Sequence, residues 1–397
     1  MKRRSLFAGL VALPLLFALL VVQGGPTERA GQIRFVPDQT SIVDCRALTE
    51  RGADPFACYR QAFANIAALN GPERGLTALR EEWNSVTELY AGCHPLVHWI
   101  GSAGLDYFHG DVGAAFVAGD DTCASGYYHG VVERAFLDIP LDQASLWGVA
   151  EHLCDSPAIR ATEYLEIQCF HGLGHGLMLA TDYDLPLADS ICAKYPNEPG
   201  LSSCYLGLFM ENFNASYGVA SRWVVDDNLG STCATLAGPQ SQIAKGACYN
   251  SIIYRVAGRS NRQAPWSEYL ALCGSIDPTY ADACYNGFGR EVYTRYAVDF
   301  SARLAEMRAA CLLAPPAGAL SCVVGVAGHV SYTDSGGARA AGFCNEFEGA
   351  YRSRCFGEIG NLLISLGGGP AAAEKSCSAI AVRPDDLASC LEARRTQ

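Results

Sequence analysis

The chain has 397 residues, a formal net charge of -12 and a composition that is 50% hydrophobic. An acidic surface repels the phosphate backbone, so this charge argues against nucleic acid as a partner. A chain of this length can bury a large core and would ordinarily form two or three domains, unless it is a repeat array.

The chain begins MKRRSLFAGLVALPLLFALLVVQGG, in which three cations precede an apolar run from Leu6 to Val22. This pattern is typical of an export signal, and the run is also near the lower length limit for a membrane span. We predict that residues 1–25 are a signal peptide or an N-terminal membrane anchor and that 26–40 form a linker. The remainder, 41–397, is then expected in the periplasm or outside the cell.

Eighteen cysteines follow this segment and fall into nine consecutive couples. Eight couples have 10 to 14 residues between the partners, and one is wider. Such regular alternation favours disulfides between neighbours, although the sequence alone does not prove the connectivity. The couples are Cys45/Cys58, Cys93/Cys123, Cys154/Cys169, Cys192/Cys204, Cys233/Cys248, Cys273/Cys284, Cys311/Cys322, Cys344/Cys355 and Cys377/Cys390.

The second cysteine of most couples opens a related phrase, such as CASGYYHG at 123, CFHGLGHG at 169 and CYNGFGRE at 284. These phrases recur at intervals of 33 to 46 residues. Such a period is typical of stacked helix pairs, in which each unit completes the core of its neighbours. We therefore predict an all-α solenoid or toroid of antiparallel helix hairpins, each stapled by a disulfide.

In period and cysteine placement, most of residues 40–395 resembles the Sel1-like and other tetratricopeptide-type helical repeats, some of which carry one disulfide per helix pair. The repeats here are less uniform in length, and the Ala/Leu/Gly signature of those families is absent. The resemblance implies a helical repeat architecture and identifies no functional residue.

The segment QCFHGLGHGLM, residues 168–178, puts three glycines and two histidines inside a predicted helix. A glycine costs about 1 kcal/mol relative to alanine in a helix interior, so the three together need a compensating role. We predict that they leave one helix face bare for a neighbouring backbone or a ligand. They are Gly172, Gly174 and Gly176.

Two histidine couples, His94/His98 and His171/His175, have the four-residue spacing that places both rings on one helical face. His129 and His175 each follow the second cysteine of their couple by six residues, which predicts equivalent positions on neighbouring helices. Adjacent helix axes lie about 8–10 Å apart, a distance that two imidazoles and a metal ion can span. We predict that the five histidines bind a transition metal, either zinc, copper or iron.

Two acidic residues are candidate catalytic general bases or hydrogen-bond partners of the ligands: Glu133, one turn after His129, and Glu211, at the equivalent edge of the next repeat. No HExxH zinc-protease motif and no CxxCH haem-attachment motif occurs. Later repeats lack histidine at the equivalent position, as at Tyr254 and Arg290. The chemistry is therefore predicted within about residues 85–215, and the other three histidines are interpreted as structural.

Two main classes of function remain open from the sequence, and a metal carrier is a third alternative. The first is a metal-dependent enzyme, either hydrolytic with zinc-bound water or oxidative with copper or iron. The second is a scaffold whose concave surface binds a small molecule, a peptide, a glycan or a protein, as most solenoids do. Bound metal separates the two classes, because only the enzyme interpretation depends on the histidine site.

Overall fold

The computed structural model describes residues 35–86, 89, 92–196, 198–214, 221–333, 336–367 and 369–392. These residues contain helices and no strand, which confirms the predicted all-α class. The predicted signal or anchor segment, residues 1–25, lies outside the described residues. Within the described part of the chain, no helix is long and apolar enough to cross a membrane.

The α-helices of the described residues are numbered here in chain order. They are α1 (Ile42–Glu50), α2 (Phe56–Asn70), α3 (Pro72–Trp83), α4 (Cys93–Tyr107), α5 (Val112–Val117), α6 (Gly126–Ala135), α7 (Gln143–Leu153), α8 (Glu163–Ala180), α9 (Leu185–Cys192), α10 (Glu198–Asn214), α11 (Gly230–Ala234), α12 (Ser241–Ser251), α13 (Ile253–Arg259), α14 (Trp266–Ser275), α15 (Ala281–Tyr296), α16 (Leu304–Cys311), α17 (Pro316–Thr333), α18 (Ala338–Cys344), α19 (Gly349–Gly367), α20 (Gly369–Ile380) and α21 (Pro384–Glu392).

One helix of each hairpin packs against its equivalent in the next hairpin, so that these helices form a continuous row. The row consists of α2, α4, α6, α8, α10, α12, α15, α17, α19 and α21, and the other helices flank it. Helix α8 also contacts α19, where the Ser365 hydroxyl donates to Glu163 Oε1 at 3.1 Å. The row therefore curves back on itself between its middle and its end.

Nine disulfides pair every cysteine with its predicted neighbour and leave no free cysteine. Eight of them join one helix of a hairpin, or the residue directly after it, to the next helix of the same hairpin. The exception, Cys93–Cys123, joins the start of α4 to the loop before α6, which explains its wider spacing. A bridge closing about a dozen residues contributes roughly 2–3 kcal/mol. This disulfide content indicates maturation in an oxidising compartment.

Glycines permit the closest contacts within the helix row. A Cβ placed on Gly174 of α8 would lie 2.0 Å from the carbonyl oxygen of Cys204 on α10. A Cβ on Gly207 of α10 would lie 1.9 Å from the carbonyl oxygen of His171 on α8. Because no side-chain atom fits in these gaps, the two backbones can approach only where both residues are glycine.

The other two glycines of the 168–178 segment face the opposite neighbour of α8. A Cβ on Gly172 or on Gly176 would lie 3.1 Å from the Val132 side chain of α6. Helix α8 is thus closely packed on both sides, and neighbouring helices rather than a ligand occupy its bare faces. This packing brings the histidines of α6 and α8 close together.

Gly174→Ala is expected to destabilise the protein by about 1–3 kcal/mol, because the added methyl group overlaps a backbone atom of α10. The matched control is Gly148→Ala in α7, where a Cβ would meet no atom within 4 Å. Alanine should stabilise that helix by up to about 1 kcal/mol. Scanning calorimetry measures both changes, and a Gly174→Ala variant as stable as the wild type would contradict the close-packing explanation of this glycine.

Candidate metal centre

The five predicted histidine ligands lie together on three adjacent helices of the row. His94 and His98 lie on α4, His129 on α6, and His171 and His175 on α8. The ring of His129 is central, and its centroid lies 4.2 to 5.2 Å from each of the other four. The structure therefore brings all five residues into one cluster.

The cluster divides into two triads that share His129. The first triad is His94, His98 and His129, and the second is His129, His171 and His175. In each triad, one nitrogen from every ring lies within 4.8 Å of the other two. A metal ion bonded to two nitrogens at about 2 Å spans about 4 Å, so small side-chain movements are enough to surround an ion.

An oxygen atom behind each ring orients the two histidines of α4. His98 Nδ1 lies 2.9 Å from Glu133 Oε1, and His94 Nδ1 lies 2.7 Å from the carbonyl oxygen of Cys123. These oxygens accept hydrogen bonds, so each Nδ1 carries a hydrogen, and in the neutral form of each ring Nε2 presents a lone pair. The two Nε2 atoms face each other at 3.1 Å. Two lone pairs at this distance need a proton or a metal ion between them.

The histidines of α8 are oriented in the same way. Glu211 Oε2 lies 3.0 Å from His175 Nδ1, and the backbone of Ser203 hydrogen-bonds His171. The Tyr183 hydroxyl donates to the other oxygen of the fully buried Glu211 carboxylate at 2.6 Å. Metal-bound histidines usually donate their second ring N–H to a carboxylate or a carbonyl oxygen. The four outer histidines therefore have the hydrogen bonding that is typical of metal ligands.

The central histidine differs from the outer four. Both ring nitrogens of His129 are buried, and neither has a hydrogen-bond partner among the described residues. His175 Nε2, on a ring stacked against His129 at an interplanar angle of 18°, is also buried without a partner. Leaving one buried polar atom unpaired costs about 1–3 kcal/mol. Three such nitrogens in one place fit the donor set of a metal ion.

Burial keeps most of these imidazoles in the neutral form. Burial, followed by the neighbouring His98, lowers the pKa of His94 to about 3. Burial also lowers the pKa of His129 and of His171 well below the usual range. It acts on His98 as well, but there the Glu133 carboxylate outweighs it and the pKa is raised. Neutral imidazole is the form that binds metal ions.

The loop before α6 has a strained backbone. Cys123, Ala124 and Ser125 have φ values of 57°, 54° and 62°, three consecutive residues in the left-handed region. This conformation costs roughly 1–2 kcal/mol for each residue other than glycine and is concentrated at functional sites. The Cys93–Cys123 disulfide holds the loop. The loop in turn directs the Cys123 carbonyl toward His94.

The two predicted catalytic acids lie behind histidine rings. The side chains of Glu133 and Glu211 are 13% and 0% exposed, and each contacts the Nδ1 side of its histidine. This is the position of an orienting residue, while their role as general bases stays a prediction. Tyr183, which holds Glu211, was not anticipated, because it lies in the turn after α8, and no residue spacing in the sequence connects it with the histidines or with Glu211.

The remaining histidines lie outside both triads. His152 is exposed and contacts Asp155 at 3.1 Å, and the ring of His329 packs against Tyr293. A cavity of about 600 Å³ lies beside α11, α12 and α14, and none of its lining residues is a histidine.

The chain matches no family model, and comparison with curated proteins and with solved structures finds no match. The resemblance to Sel1-like and tetratricopeptide-type repeats is therefore limited to helical hairpins joined by disulfides and supports no family assignment. The geometry of the histidine cluster is therefore the basis on which a function can be inferred.

Proposed function

We propose that the protein is an exported transition-metal protein whose five histidines hold two ions, one in each triad. The observation that carries the proposal is the set of buried, unpaired nitrogens on His129 and His175. In this arrangement, His129 gives one nitrogen to each ion. An imidazole that bridges two ions is an imidazolate, so binding of the second ion releases the remaining ring proton.

The donor set favours zinc or copper. Every candidate ligand is an imidazole nitrogen, whereas magnesium, calcium and manganese prefer oxygen donors. Non-haem iron(II) oxygenases typically use two histidines and one carboxylate. The carboxylates of Glu133 and Glu211 are instead engaged with His98 and His175. An all-histidine set of this kind matches zinc and copper best.

The number of ligands supports a catalytic rather than a structural role. Each triad provides three protein ligands, and three ligands leave a coordination position for water or substrate. Zinc supplies a water of lowered pKa for hydrolysis, and copper supplies redox chemistry. We therefore propose a metal-dependent enzyme, hydrolytic or oxidative according to its metal. Glu133 and Glu211 serve in it by fixing the rings of His98 and His175.

Elemental analysis of the purified disulfide-bonded protein tests this proposal. We expect close to two zinc or copper ions per chain after dialysis near neutral pH, one for each triad. Acid should release them, because protons compete for imidazole nitrogens. His152→Ala should retain the same amount, since this exposed residue lies outside the triads.

Two measurements together could contradict the proposal, namely metal content and the response of the melting temperature to added metal. Protein that carries no metal, and whose melting temperature does not change when zinc or copper is added, would contradict the proposal. A binding scaffold without catalysis would then be the better interpretation of the helical repeat.

A further inference from the structure

Arg290 of α15 has a charge that no carboxylate pairs with among the described residues. Its guanidinium donates to the Tyr254 hydroxyl and to Asn250 Oδ1, both neutral groups, and lies over the Tyr254 ring. Other arginines in this part of the chain form ion pairs, namely Arg255 with Asp226, Arg259 with Glu268, and Arg262 with Glu291. A half-buried arginine without a counter-charge has the properties of an anion-binding residue.

Arg290 also occupies a significant position in the repeat. It follows the second cysteine of its couple by six residues, as His129 and His175 do. Equivalent positions of a helix repeat face the same side of the stack. The Arg290 guanidinium is therefore expected on the side of the curved helix row that carries the rings of His129 and His175.

Neutral polar groups surround the guanidinium. Asn250 Nδ2 donates to Asn286 Oδ1 at 3.0 Å and to the Ala283 carbonyl at 3.1 Å, so this amide is held independently of Arg290. Burial, and then the charge of Arg290, lowers the pKa of the nearby His329 to about 3, so that this ring is neutral. One cation among a hydroxyl, an amide and a neutral imidazole suits a small oxyanion, which accepts charge-assisted hydrogen bonds from the guanidinium.

We propose that Arg290 binds the anionic end of a small oxyanion substrate, a carboxylate or a phosphate, whose reacting end reaches the second triad beside His171. The placement of the reacting end rests on the proposed metal site, whereas the anion anchor rests on Arg290 and its surroundings. The histidines alone do not specify a substrate. Arg290 adds the expectation that the substrate is anionic.

Titration calorimetry of the purified disulfide-bonded protein with inorganic phosphate and with succinate tests the anchor. The variants are Arg290→Gln and the control Arg255→Gln, which removes the same charge from an arginine that is already paired with Asp226 at 2.7 Å. Losing a charge-assisted hydrogen bond should weaken anion binding by about ten-fold or more in Arg290→Gln. The Arg255→Gln protein should bind as the wild type does. Tighter binding of phosphate indicates a phosphate group in the substrate, and tighter binding of succinate indicates a carboxylate.

Equal anion binding by the wild type and Arg290→Gln, or no binding by the wild type at millimolar concentrations, would overturn the anchor. Metal content is measured on the same samples. A wild type that binds anions through Arg290 but carries no metal would contradict the proposed function and leave the anchor in place.

If Arg290→Gln melts far below the wild type, Arg290→Lys replaces it as the test variant. Lysine keeps the positive charge but lacks the planar guanidinium that donates two parallel hydrogen bonds, so we expect weaker but measurable anion binding. Anion binding as tight as that of the wild type would contradict the proposal.

Discussion

His129→Ala is expected to remove both bound ions, because His129 is the ligand that the two triads share. Variants that lack only outer ligands should each lose one ion. His94→Ala/His98→Ala should lose the ion of the first triad, and His171→Ala/His175→Ala should lose the ion of the second. Elemental analysis after dialysis measures this series, in which the single substitution removes more metal than either double substitution.

His129→Ala removes more metal than either double variant because the His129 ring lies between the two triads, whereas each outer pair belongs to one triad. Removing even a group that orients a ligand costs about 10- to 100-fold in metal affinity, and removing the ligand itself costs more. His329→Ala is the matched control, since it also removes a ring packed in the helix row, here against Tyr293, but outside the triads. Circular dichroism should show an unchanged helix content in all variants, because nine disulfides hold the hairpins. A His129→Ala variant that keeps one ion would show that His129 is not shared.

The helical class and the disulfide pairing were predictable because both depend on local sequence. Two cysteines separated by 10 to 14 residues lie on either side of one hairpin turn, so the turn itself brings them together. Clustering of the histidines was also predictable. A spacing of four residues fixes two rings on one helical face, and equivalent repeat positions fix neighbouring helices.

Other features depend on contacts that no local pattern specifies. The division into two triads requires the His129 ring of α6 to lie between the rings of α4 and α8. Tyr183 reaches Glu211 from a turn in which Asp182 and Tyr183 have φ values of 53° and 58°, a left-handed conformation that recurs at Asn261 and Arg262 in the turn after α13. The contact between α8 and α19 joins residues 202 positions apart. In each case the geometry depends on how whole helices pack against one another. The spacing of residues along the sequence does not specify that packing.

The role of Arg290 was also only partly predictable from the sequence. Its position in the repeat was identifiable as equivalent to that of the histidines, and the loss of histidine there indicated that the metal chemistry ends earlier in the chain. The sequence did not indicate that its guanidinium would meet only neutral groups. That property depends on which acids pair with its neighbours, as Glu291 does with Arg262.

Glu211→Gln is expected to weaken the ion of the second triad by about 10- to 100-fold and to leave the first-triad ion in place. The carboxylate is fully buried and contacts both His175 and Tyr183. Glutamine has nearly the same shape, and its amide can still accept from His175 Nδ1 while its NH₂ group donates to the Tyr183 oxygen. The substitution therefore removes the negative charge behind the ligand and preserves the packing.

Glu133→Gln is the reciprocal variant, since Glu133 contacts His98 of the first triad at 2.9 Å. It should weaken the first-triad ion and leave the second in place. Competition with a chelator measures the two affinities separately in each variant. If both variants bind metal as tightly as the wild type does and lose only turnover, these acids are general bases rather than positioning residues. Weakened binding confined to the matching triad would instead establish that each carboxylate acts through its histidine, because the negative charge strengthens the ring as a donor to the ion in front of it.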